Sequence, residues 1–106
     1  MRRVLLDHCV PRPLRNLLAG YSVSTANEMG WTDLKNGELL DAAETAGFEV
    51  LITSDKNLRY QQNLSSRHIA IIELPTNRLR AIATCVPQVN VLLASIQPGA
   101  YEVVGP

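Results

Sequence analysis

An excess of charge of either sign is the first thing this chain lacks. Ten basic side chains meet ten acidic ones, so the formal net charge at pH 7 is zero. A protein that holds nucleic acid by bulk attraction carries a strong positive excess, and that class is excluded. Lysine is scarce: Lys35 and Lys56 stand against eight arginines, which suit bidentate contacts with phosphate or carboxylate. Cysteine is nearly absent, and Cys9 and Cys85 are too far apart for a metal-knuckle pattern, so both read as reduced thiols. The single tryptophan, Trp31, reads as a packing anchor for its loop rather than a base-stacking platform. There is no glycine-rich phosphate loop, no nucleophile elbow and no histidine pair at metal spacing. Those absences remove the common nucleotide-binding and hydrolase signatures. No stretch approaches the ~20 apolar residues of a membrane span. Asp7 and His8 interrupt the apolar run behind Met1-Arg2-Arg3 before it can act as a secretion signal. The expectation is a cytoplasmic protein without a membrane partner, with residues 1–106 as one domain.

What is present is organised around Val50-Leu51-Ile52-Thr53-Ser54-Asp55-Lys56-Asn57-Leu58. Three apolar residues without polar alternation predict a strand buried on both faces, hence a parallel sheet covered by helices. Asp55 falls just past its carboxyl end. Val4-Leu5-Leu6 followed by Asp7 repeats the design. If the two strands are neighbours, about 5 Å apart, both carboxylates come within reach of one shared cation such as Mg²⁺ or Mn²⁺. The plainer alternative is that each Asp only caps the turn that follows it.

In chain order, Pro11–Leu18 reads as a helix opened by prolines and closed by Gly20, with Arg12 and Arg15 exposed near its start. Those two arginines are either phosphate contacts or solvated surface. Residues 21–26 predict a second strand, and 36–47 the most regular helix, with Asn36 as cap, Gly47 as terminator and Leu39, Ala42, Ala43 and Ala46 as its apolar stripe. Glu38, in its first turn, either favours the helix dipole or points at the site. Residues 57–64 predict a short amide-rich helix with Arg59 and Tyr60 near Asp55. Residues 69–74 predict a fourth strand. A helix over 78–95 should kink or divide at Pro87, and 101–104 can add an edge strand. The alternation implies an α/β fold: a three-layer α/β/α sandwich around a mainly parallel sheet.

Three blocks carry a family resemblance: Val4-Leu5-Leu6-Asp7 with Cys9-Val10-Pro11, Leu34-Lys35-Asn36-Gly37-Glu38-Leu39-Leu40, and Thr53-Ser54-Asp55-Lys56-Asn57-Leu58-Arg59-Tyr60-Gln61-Gln62-Asn63-Leu64. Together they resemble the small PIN-like proteins predicted to be toxin nucleases. The resemblance implies a PIN-like fold, a ribonuclease related to VapC-type toxins, Mg²⁺ or Mn²⁺ at the acidic residues, and an antitoxin protein as partner. Asp7 and Asp55 match the first and third acidic positions of the pattern, and Glu38 is the nearest match to the helical one. The chain departs from the pattern at His8, Asn36 and Asn57, where related chains carry or approach an acid.

The resulting expectation is a metal-dependent endoribonuclease with Asp7, Asp55 and Glu38 as catalytic and metal-binding residues. Arg12, Arg15, Lys56, Asn57, Arg59 and Tyr60 are its expected substrate contacts, and a homodimer or a complex with an antitoxin its expected assembly. Two other readings stand beside it. One is a catalytically idle PIN-like module that binds an antitoxin or nucleic acid. The other is a receiver-like phospho-acceptor domain, with Asp55 as acceptor and Thr76 as its hydroxyl partner but no lysine after a fifth strand.

Overall fold

A computed structural model describes residues 2–18, 20–58, 64 and 66–105. Five short strands, β1 (Arg3–Leu6), β2 (Ser22–Thr25), β3 (Val50–Thr53), β4 (Ala70–Glu73) and β5 (Tyr101–Val103), form one sheet in the order β2-β1-β3-β4-β5. Every adjacent pair is parallel. A 3₁₀ helix (Arg12–Leu17) connects β1 to β2, α1 (Asn36–Thr45) lies between β2 and β3, and α2 (Leu79–Ala83) and α3 (Val86–Ser95) lie between β4 and β5.

The unbroken apolar runs of the central strands serve two cores at once, because successive side chains in a strand point to opposite faces. Leu5, Leu51 and Ile71 face Leu39, Leu40 and Ala43 of α1. Val4, Leu6, Val50, Ile52 and Ile72 face Leu14 of the 3₁₀ helix, Ile82 of α2, and Val89 and Leu93 of α3. Burying each such Leu or Ile stabilises the fold by roughly 1.5–3 kcal/mol relative to exposure. The helices therefore cover both faces, and the fold is the expected three-layer α/β/α sandwich. Its sheet is wholly parallel among the described residues, because β5 joins β4 in parallel as well.

Local chemistry explains where elements start and stop. The segment after β1 is a 3₁₀ helix rather than an α-helix. It is short, Pro13 has no N–H to give, and the recorded bonds span three residues, Leu14 N–H to Pro11 O and Leu18 N–H to Arg15 O. Lys35, not Asn36, holds the cap position of α1, and Asn36 is its first helical residue. The helix closes as expected at Gly47, whose φ of 88° is left-handed. There Gly47 N–H bonds Glu44 O and Phe48 N–H bonds Ala43 O, the paired bonds of a Schellman cap. The expected long carboxyl-terminal helix divides into α2 and α3, and Pro87 falls in the first turn of α3, where a missing N–H costs least.

The strand order sets up the site. The chain steps from β1 outward to β2, then crosses back to lay β3 on the other flank of β1 and adds β4 and β5 beyond it. Connections leaving β1 and β3 therefore part in opposite directions at their carboxyl ends, and that reversal opens a crevice where doubly wound sheets bind ligands. Among the described residues, no helix is long and apolar enough to cross a membrane.

Candidate functional site

β1 and β3 are direct neighbours, with Leu6 opposite Ile52. One residue further on, Asp7 leaves β1 beside Thr53, and its N–H bonds Ile52 O at 3.0 Å. Two residues past Thr53 comes Asp55. The matched strand-plus-Asp pattern thus converges on the point of strand reversal.

Thr53 links the two acids. It is fully buried, and its hydroxyl donates to Asp7 Oδ2 at 2.8 Å while accepting the N–H of Asp55 at 3.0 Å. Cys9 Sγ lies 3.9 Å from the same Asp7 oxygen and 3.8 Å from Thr53 Oγ1. Both carboxylates also hold turns. Asp7 Oδ1 accepts His8 N–H at 2.7 Å, and Asp55 Oδ1 accepts Asn57 N–H at 2.9 Å. These turn bonds leave both carboxylates able to accept a further partner, because each carboxylate oxygen has lone pairs to spare.

Asp7 and Asp55 line one cleft of about 450 Å³ with His8, Cys9, Lys35 and Asn77. A second cleft, about 270 Å³, lies on the other side of Asp7 and His8 and includes Arg12. A larger cavity than either, about 530 Å³, sits instead at the amino ends of the strands. It is lined by Arg2, Glu44, Glu49 and His68 among others, and its acids are already engaged: Glu49 with Arg2, and Glu44 with Arg67.

The remaining expected residues divide. Arg12 is exposed beside Asp7, at the second cleft. Arg15 is committed elsewhere, bonding both oxygens of Glu28 at 2.7 and 2.9 Å. Glu28 in turn accepts Thr25 N–H and donates its own N–H to Thr25 Oγ1, a reciprocal pair. The Arg15 hydrogen bond, helped by the one from Thr25, holds the Glu28 carboxyl below its ordinary value. Glu38 is exposed in the first turn of α1 and does not line the cleft. Lys56 and Asn57 are exposed on the turn behind Asp55, also outside the lining. Arg59 and Tyr60, with residues 61–63 of the amide-rich helix expected over 57–64, lie outside the described residues.

Among the described residues, no three His, Cys, Asp or Glu side chains gather as a ready-made metal site. What the cleft does present is a pair of hard oxygen donors. That set fits Mg²⁺ or Mn²⁺ in the mode where one or two carboxylates hold the ion and waters and a substrate phosphate complete the shell. Sequence reasoning missed Thr53, because a β-branched residue ending a strand reads as a strand former. It also missed Lys35, whose place in the cleft depends on how the 27–35 connection folds back. No family model matches this chain, and no curated protein or solved structure matches it either.

Proposed function

We propose that this protein is a PIN-like, metal-dependent endoribonuclease, the toxin of a toxin–antitoxin pair. The observation that supports this reading most is the convergence of Asp7 and Asp55 on one cleft at the strand reversal, tied together by the Thr53 hydroxyl. Asp7 and Asp55 would hold Mg²⁺ or Mn²⁺, which when bound supplies a Lewis acid and an activated water for phosphodiester hydrolysis. The chain's own residues do the rest. Thr53 fixes the orientation of the Asp7 carboxylate, the Asn57 N–H fixes that of Asp55, and Arg12 offers a phosphate contact beside Asp7. Glu38, on the solvated turn of α1, is the weakest member of the expected acidic set. An antitoxin or a second copy of the chain would complete a substrate surface that this small rim does not fill. The reading places the protein in the cytoplasm.

The test is cleavage of a mixed single-stranded and structured RNA pool with Mg²⁺, Mn²⁺ or EDTA, beside an Asp7→Ala, Asp55→Ala double variant. The proposal expects metal-dependent cutting that the double variant loses. A folded, partner-free protein that cuts nothing with either metal would turn the assignment toward a module that only binds.

The strand order favours one other reading, since 2-1-3-4-5 is also the order of receiver-like sheets. In that reading Asp55 takes a phosphoryl group. Against it, Thr76 does not line the cleft, and its hydroxyl accepts Arg78 N–H instead. Incubation with acetyl phosphate separates the two readings, because only a phospho-acceptor gains the mass of one phosphoryl group at Asp55.

A further inference from the structure

The cleft at the strand reversal has two walls of opposite charge. Asp7 and Asp55 come from the sheet, and Lys35 comes from the start of α1. Lys35 is exposed, and among the described residues no ion pair joins it to a carboxylate; the pairs formed among those residues join Arg2 to Glu49, Arg15 to Glu28, and Arg67 to Asp41 and Glu44. Its ammonium group is thus uncommitted within a site that carries two negative charges.

The backbone beneath Lys35 is fixed from both sides. Its carbonyl accepts the N–H groups of Glu38 and Leu39 in the first turn of α1. The preceding carbonyl, of Leu34, accepts a hydrogen bond from His8 Nε2 at 3.1 Å. A carbonyl can only accept, so Nε2 carries the proton, and the ring ties the α1 start to the residue that follows Asp7. Trp31 anchors the same connection from behind, packed edge-on against Phe48 with ring centroids 6.0 Å apart.

We propose that Lys35 is the phosphate contact of this cleft, positioned by His8 through the Leu34 carbonyl, and that the ligand it selects is a nucleic-acid phosphodiester. The assignment rests on the nuclease reading and adds to it the group that binds the substrate. Charge balance supports it: two carboxylates and one ammonium leave one excess negative charge, and one divalent ion together with one phosphodiester bring the site to neutrality. His8, standing where the family pattern has an acid, acts here as a positioning residue that holds the basic wall against the acidic one.

The experiment reads binding rather than turnover. Fluorescence anisotropy of a labelled single-stranded RNA is followed in EDTA across a salt series, using the full chain carrying Asp7→Asn and Asp55→Asn. Lys35→Ala, Lys35→Arg and His8→Ala are each added to that background, and thermal melts confirm that every variant is folded. Lys35→Ala is expected to weaken binding about fivefold at low salt. It should also lower the slope of log K against log salt by about 0.7, the value for one lost contact on a single strand. Lys35→Arg keeps both, and His8→Ala weakens binding while leaving the slope intact, because the charge remains. A Lys35→Ala variant with unchanged affinity and slope overturns the assignment, as does a parent protein that binds no RNA. Cleavage by the otherwise native chain is measured separately, so a failed nuclease reading and a failed Lys35 assignment give different results.

Discussion

Replacing Thr53 by Val tests whether the two acids act through one buried hydroxyl. Val matches Thr in shape, so the fully buried position stays filled, but Asp7 Oδ2 loses its 2.8 Å donor and Asp55 N–H loses its 3.0 Å acceptor. A hydrogen bond to a charged group contributes about 1.5–3 kcal/mol, and an orphaned, partly buried N–H costs about 1 kcal/mol more. The added buried methyl offsets about 0.8 kcal/mol. The net expectation is a loss of about 2–3 kcal/mol, which lowers the melting temperature by roughly 10 °C in a domain of this size. Thr53→Ser keeps the hydroxyl and gives up only a methyl, at about 1 kcal/mol. Urea denaturation of both variants at pH 7 measures the difference. The decisive quantity is the coupling in a cycle of Thr53→Val with Asp7→Ala, expected above about 1 kcal/mol. A coupling near zero, or a Val variant as stable as the parent, would refute the claim that the hydroxyl organises the site.

The two other predictions concern the frame around the site. The Glu28 carboxyl titrates below its ordinary 4.5 in the folded chain because Arg15 and Thr25 bond its charged form. The unfolded chain then binds that proton more readily, so the contribution of Glu28 to stability is fully present above about 4.5 and is lost as pH falls through the depressed value. Comparing the parent with Arg15→Ala by urea denaturation between neutral pH and pH 3, the variant should lose less stability on acidification; equal losses would contradict the pairing. Gly47→Ala should cost about 1–2 kcal/mol, since the cap demands a left-handed backbone and an added Cβ would come within 3.0 Å of the Arg3 guanidinium. An unchanged melting temperature would contradict it.

The sheet was legible wherever one residue pattern had one structural consequence. Val50-Leu51-Ile52 and Val4-Leu5-Leu6 lack polar alternation because helices cover both faces, and that is readable without a structure. That both runs end near an Asp was equally plain. That β3 lies beside β1 was not, since strand order depends on which crossover packs best, and the shared site stayed conditional on it. Pro13 and Pro87 announced disturbed helices but not their form. Arg15 was expected at phosphate and is found on Glu28, thirteen residues away, a contact with no periodicity to betray it. Lys35 was overlooked for the same reason: its place in the cleft follows from the Trp31 and His8 anchors of an aperiodic connection.

The central claim is that Asp7 and Asp55 form one functional unit, and single-turnover RNA cleavage by Asp7→Asn, Asp55→Asn and the double variant, with Mn²⁺, tests it most directly. Residues that share one ion act non-additively, so either single change should remove nearly all the activity that the double change removes. Two partial losses whose free energies add in the double variant, or cleavage that survives all three, would contradict it.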